Sequence, residues 1–140
     1  MRKYADLIES VQRHFTKYVI GMKDKSYGER LKCLKLPSLE FRRFRGDLIE
    51  VFKMCHKLYD PKTTNNLINF NTSITRSHNF KLLKSRVNTT QFLNFFTHRI
   101  VNPWNKLPRD IVNVGCVNLF KNCIDSYFKE HLYSINLDIV

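Results

Sequence analysis

Glycine is scarce in this chain, with 4 residues in 140, and the four are scattered. No glycine-rich loop of the kind that cradles phosphate with its backbone amides is therefore present. Cysteine is as sparse: Cys33, Cys55, Cys116 and Cys123 include no Cys-x-x-Cys pair. Cys55 and His56 are neighbours, so on a helix they point different ways, which argues against a structural zinc site. A Cys–His nucleophile would also lack a third group to orient it. Cys116 and Cys123, seven apart on an apolar face, are expected as buried thiols. No apolar stretch reaches the length needed to span a bilayer. Asp6 and Glu9 interrupt the N-terminal segment where a secretory signal would be apolar. No internal repeat or low-complexity tract occurs. These absences lead us to expect reduced thiols, a nuclear or cytoplasmic location, no membrane partner, and no cofactor, metal or small-molecule substrate for this chain.

Acid is the other shortage. Asp and Glu number 12 against 24 Lys and Arg, a formal net charge of +12 at a sequence pI near 9.8. Such a balance favours a polyanionic partner, nucleic acid or an acidic membrane surface, although charge alone also fits a merely soluble protein. The deficit is uneven. Between Asp60 and Asp110 there is no acidic residue, while Lys62, Arg76, Lys81, Lys84, Arg86, Arg99, Lys106 and Arg109 all fall there, with His78 and His98 among them. Hydrophobic content of 43% with 11 Phe supports a packed core.

The periodicity predicts a mainly α fold, a small helical bundle with a short β-hairpin or irregular middle segment. Residues 4–20 read as an amphipathic helix: Leu7, Val11, Phe15 and Val19 recur every fourth residue, widened by Ile8 and Tyr18, and Gly21 stands where a C-terminal cap belongs. Ser26-Tyr-Gly-Glu29 has capping-box spacing and should start a helix through about Leu34. Pro37 ends it, and Ser38 can cap a long helix that Asp60-Pro61 closes. On that helix Phe41, Phe44, Leu48, Val51, Phe52, Cys55 and Tyr59 share one face, while Arg42, Lys53 and Lys57 lie opposite. Arg43–Asp47 and Glu50–Lys53 are spaced as helical ion pairs. The Asn-, Thr- and Ser-rich segment 62–79 reads as loop or irregular strand, and residues 80–84 with 86–90 as a candidate hairpin. Pro103 and Pro108 keep helices short around Trp104, and Pro108 can open a new one. From Val117 a stripe of Val117, Phe120, Ile124 and Phe128 returns, with Cys123 and Tyr127 beside it and Lys121, Asp125 and Lys129 on the wet side. The organisation expected is a helical part over 1–60, a basic segment over 61–91 and a helical part over 92–140.

Several pieces occur in a distinctive order: Ile8-Glu-Ser-Val-Gln-Arg-His-Phe-Thr-Lys17, Ser26-Tyr-Gly-Glu-Arg-Leu31, and Leu36-Pro-Ser-Leu-Glu-Phe-Arg-Arg-Phe-Arg-Gly-Asp-Leu-Ile-Glu50. Phe95-Phe-Thr-His-Arg99, Trp104-Asn-Lys-Leu-Pro108 and Phe120-Lys-Asn122 follow. In this order they resemble the region after the polymerase core of jockey-like non-LTR (LINE-type) retrotransposon reverse transcriptases, over nearly the whole chain. The resemblance implies a helical thumb that packs against primer and template, with Arg42, Arg43, Arg45 and Gly46 matching its arginine-rich helix. It implies a structural role for Trp104, Asn105, Leu107, Pro108 and Phe120. Pro103 and Gly115-Cys116 depart from the family pattern. Parent enzymes of this kind use Mg held by paired aspartates. Tyr4-Ala-Asp6 resembles that motif for three residues, but Leu7 stands where the second aspartate must be, and Asp6 reads as a solvated residue at a helix start.

The resulting expectation is a non-catalytic fragment of an RNA-directed DNA polymerase that contacts RNA or DNA with little sequence reading. Its expected contacts are Arg42, Arg43, Arg45, Lys53, Lys57, Arg76, Lys81, Lys84, Arg86 and Arg99. The bland reading of the arginines is a solvated helix face neutralised by Glu40, Asp47 and Glu50. Phe92, Phe95, Phe96 and Trp104 could stack on unpaired bases, but Phe95, Phe96 and Trp104 are read as core. The alternatives are a module for self-association or protein binding and a decayed element copy without function.

Overall fold

The computed structural model describes residues 2–64, 67–71, 78–86 and 89–133. Among these the protein is mainly helical, and its β structure is a single antiparallel bridge. The chain forms two compact units. One holds the described residues up to Phe44 and from Phe128 on; the other is Arg45–Tyr127.

The first unit contains α1 (Arg2–Phe15), α2 (Tyr27–Leu34), the start of α3 (Leu39–Cys55) and a 3-10 turn, Lys129–His131. The capping box forms as its spacing predicts: Ser26 Oγ accepts from the Glu29 amide, and Glu29 Oε2 accepts from the Ser26 amide at 2.8 Å. Ser38 accepts the Phe41 amide at 3.2 Å and so caps α3. An apolar helical stripe ordinarily faces a core, but on α1 it faces outward. Leu7, Val11 and Phe15 are 56%, 54% and 66% exposed, whereas the polar Glu9 and Thr16 are buried.

Directional polar bonds set this orientation. Tyr27 Oη donates to Glu9 Oε1 at 2.5 Å, and the Leu39 amide donates to Glu9 Oε2 at 2.9 Å. Gln12 Nε2 donates to the Pro37 carbonyl at 3.2 Å. Burial, with the Glu9 carboxylate beside it, pushes the Tyr27 phenol well above its ordinary range. The helix stops at Phe15, short of the predicted Ile20, because Arg30 is buried behind its last turn. Arg30 donates to the Arg13 and Lys25 carbonyls and to Thr16 Oγ1, at 3.2, 2.6 and 3.1 Å. A cation on the Arg13 carbonyl, in the last turn of α1, suits the negative end of the helix dipole.

The core of the second unit is made of Leu48, Val51, Phe52 and Cys55 of α3, Phe120 and Ile124 of α9 (Val117–Tyr127), and Ile100, Val101, Trp104, Leu107 and Val112, all buried. The Phe52 and Phe120 rings stack at 4.3 Å and 18°, and Trp104 lies 5.9 Å from Phe120. Helix α3 ends at Cys55 and not near Asp60. Lys57 turns left-handed (φ 55°), and the Leu58 amide returns to the Lys53 carbonyl at 2.9 Å. Tyr59 therefore leaves the apolar face.

Between α3 and α9 run α4 (Pro61–Thr64), α5 (Thr90–Leu93), α6 (Phe96–Arg99), α7 (Val101–Lys106) and α8 (Arg109–Val112). Pro103 sits in the first turn of α7, where its missing amide hydrogen would lack an intrahelical acceptor in any case. Pro108 is the N-cap of α8. Phe95 precedes α6 as its N-cap and is 61% exposed, so it is not a core residue; Phe96 is half-buried. Cys116 is exposed and Cys123 half-buried, because Cys116 lies before the first turn of α9, off its inward stripe. Cys55 is the buried thiol, and burial pushes it up to about 12.

His78 is buried, edge-on to Trp104 at 6.0 Å, and neither ring nitrogen has a hydrogen-bond partner among the described residues. Burial, with the nearby charge of Lys81, lowers its pKa and keeps it neutral. In the unfolded chain a histidine takes its proton near pH ~6.5. The unfolded state thus binds more protons on acidification, and stability should be flat above that pH and fall below it. Urea titrations of the wild type and of His78→Phe across this range check the point: the variant should lose that part of the slope.

Candidate nucleic-acid interface

The basic segment of the second unit is held in place by two side chains of α7. Trp104 Nε1 donates to the Phe80 carbonyl at 2.8 Å. Asn105 Oδ1 accepts from the Leu82 amide, and its Nδ2 donates to the Leu82 carbonyl, both at 2.9 Å. Asn105 thus answers Leu82 as a neighbouring strand would. On the other side Phe70 and Leu82 form the antiparallel bridge: the Asn71 amide donates to the Lys81 carbonyl at 2.8 Å, and the Leu83 amide donates to the Asn69 carbonyl at 2.7 Å. This pairing differs from the expected hairpin between residues 80–84 and 86–90, of which residues 87–88 lie outside the described residues. Lys81 lies between the two anchored residues and is half-buried, and Lys84 and Arg86 follow it into solvent. Fixing the backbone on both sides of a cation presents its charge with little conformational freedom left to lose on binding.

The acids of this unit are largely taken. Asp125 receives a bidentate pair from Arg45, Nε at 2.5 Å and Nη2 at 2.8 Å, and this bond holds the guanidinium pKa above its ordinary value. Asp47 receives a second fork from Arg99, both bonds at 2.8 Å, and Arg99 also donates to the Asn94 carbonyl. Glu50 accepts from Lys53 Nζ at 2.7 Å and from Tyr59 Oη at 2.5 Å. Burial works against the Glu50 carboxylate, yet those two donors hold its pKa below the ordinary value; the Glu50 bond in turn raises Lys53. Asp47 therefore pairs with Arg99 and not with Arg43 four residues earlier, and Asp125 is not on a free wet face. Arg45 and Arg99, read from the sequence as phosphate contacts, already have their forks filled by carboxylates. Lys53 is likewise engaged.

What remains is a set of cations without an ion pair among the described residues: Lys57, Lys62, Lys84, Arg86, Lys106 and Arg109, all exposed, together with half-buried Lys81 and Lys121. Lys62, Lys106 and Arg109 are additions to the residues singled out as contacts; the acid-free stretch that contains them is the signal that finds them. Arg76 lies outside the described residues. Phe92 and Phe95 are 57% and 61% exposed, with ring centres 6.4 Å apart. Arg42 and Arg43 are exposed in the first unit. The second unit thus carries an excess of unpaired cations and two open aromatic rings, chemistry that suits phosphate oxygens and unpaired bases. Among the described residues no cluster of three His, Cys, Asp or Glu could hold a metal ion, and no helix is long and apolar enough to cross a membrane. No known family model, curated protein or solved structure matches the chain.

Proposed function

We propose that this chain binds nucleic acid electrostatically, with little sequence reading, and performs no catalysis of its own. In this reading it is a C-terminal piece of a retrotransposon-type reverse transcriptase that grips the primer–template duplex beside a separate catalytic body. The assignment to that family rests on the ordered motifs from Ile8 to Asn122. The binding role rests on one observation: three of the five acids in Arg45–Tyr127 are engaged by Arg45, Lys53 and Arg99, which leaves Asp60 and Asp110 against Lys57, Lys62, Lys81, Lys84, Arg86, Lys106, Arg109 and Lys121. Phosphate contacts of this kind set position and affinity and carry no base information.

Fluorescence anisotropy with labelled duplex and single-stranded oligonucleotides of unrelated sequence tests the proposal. Binding at low salt that is similar across sequences supports it. No binding at low salt, or tight binding to one sequence only, overturns it.

A further inference from the structure

The least explained surface of the protein is the outward face of α1. Tyr4, Leu7, Ile8, Val11 and Phe15 are all more than half exposed, and Tyr18 and Val19 in the following turn extend the patch. Aromatic side chains offer on the order of 150–250 Å² each and the aliphatic ones somewhat less, so at these partial exposures the patch amounts to roughly 800 Å². That is above the few hundred Å² a soluble monomer usually leaves open. It also matches what each partner contributes to a stable interface, about 800 Å². The helix cannot easily roll this face inward, because Glu9, Gln12 and Thr16 on its other side are hydrogen-bonded to Tyr27, Leu39, Pro37 and Arg30.

We propose that this face is a self-association surface, on which a second copy of the chain lays its own α1 antiparallel, centred between Ile8 and Val11. The spacing supports this. Tyr4, Ile8, Val11 and Phe15 alternate steps of four and three, the seam of a coiled-coil pair. A two-fold axis midway between Ile8 and Val11 sets Tyr4 against Phe15 of the other copy and Ile8 against its Val11, a self-complementary arrangement. Val11 is the smallest residue of the stripe and permits close approach beside the axis. The helix dipoles select the direction: antiparallel pairing sets opposite ends together, and parallel pairing sets like ends together. An anionic bilayer is the competing occupant, since α1 carries Arg2, Lys3 and Arg13 as interfacial helices do. Asp6 and Glu40, which line the groove beside Ile8 together with Arg43, would however be set against its anionic headgroups.

Sedimentation velocity of the full chain across the micromolar range, at low and high salt, tests the proposal. The expected result is a concentration-dependent dimer that tightens with salt, because two copies at +12 each repel. Val11→Glu should weaken dimerisation roughly 100-fold or more, since it sets two unpaired carboxylates beside the axis. Its helical circular dichroism should stay as in the wild type, and its melting temperature should match that of the wild type at concentrations low enough to keep the latter monomeric, because Val11 is half open in the single copy. A chain that stays monomeric throughout overturns the proposal, as does a dimer that survives Val11→Glu. So does a monomer that sediments with phosphatidylserine vesicles unless Val11 is changed. Replacing Lys81, Lys84 and Arg86 by Glu should leave dimerisation no weaker, so the outcome is independent of nucleic-acid binding.

Discussion

Trp104→Ala should leave the Arg45–Tyr127 unit largely unfolded near body temperature. Trp104 is fully buried, packs within 5.9 Å of Phe120, and donates to the Phe80 carbonyl. Removing a side chain of this size from a core costs about 3–5 kcal/mol, and stranding the Phe80 carbonyl adds about 1 kcal/mol. Whole domains hold only about 5–15 kcal/mol, and small ones lie at the low end. Urea unfolding followed by helical circular dichroism is the suitable readout, since the variant also loses the only tryptophan. Trp104→Phe keeps most of the packing and loses the hydrogen bond, so it should cost about 1–2 kcal/mol and remain folded. A Trp104→Ala variant as stable as the wild type would mean that the anchor of the basic segment lies elsewhere.

The second large effect concerns binding. Lys81→Glu, Lys84→Glu and Arg86→Glu together should weaken oligonucleotide affinity by roughly 100-fold or more. A charge near a phosphate contributes about 1 kcal/mol at ~4 Å in water, and the three acids add repulsion. Lys84 and Arg86 are exposed, so their reversal should cost the fold little. Arg99→Gln is the informative contrast. It abolishes the fork to Asp47 and should lower stability, but it removes no free cation, since Arg99 is already engaged. Its affinity should fall far less than that of the triple variant. Equal losses in the two proteins would show that the contacts had been assigned by count and not by availability.

What the sequence made legible follows from the range over which each interaction acts. The buried face of α3 and the Phe120–Ile124 stripe of α9 could be read directly, because periodicity reports which residues share a side. The Ser26–Glu29 box was visible because both partners lie within one turn. The same reasoning names the stripe of α1 but not its direction. Glu9 meets Tyr27 and Leu39, 18 and 30 positions on, and those bonds outweigh the usual inward turn of an apolar face. Arg45 and Arg99 looked available for the same reason, since Asp125 and Asp47 lie 80 and 52 positions away and a closer pair, Arg43–Asp47, satisfied the local rule. The acid-free stretch was plain in the sequence. The clamp that presents it was not, because Trp104 and Asn105 reach back more than 20 residues to bond the backbone of Phe80 and Leu82.

The measurement closest to the central claim is the salt dependence of oligonucleotide binding by the wild-type chain and by the Lys81, Lys84 and Arg86 triple variant. Each neutralised phosphate contributes about 0.9 to the slope of log affinity against log salt on duplex DNA. The account predicts a steep wild-type slope that loses about three in the variant. A shallow slope, or one that the three substitutions leave unchanged, would contradict it.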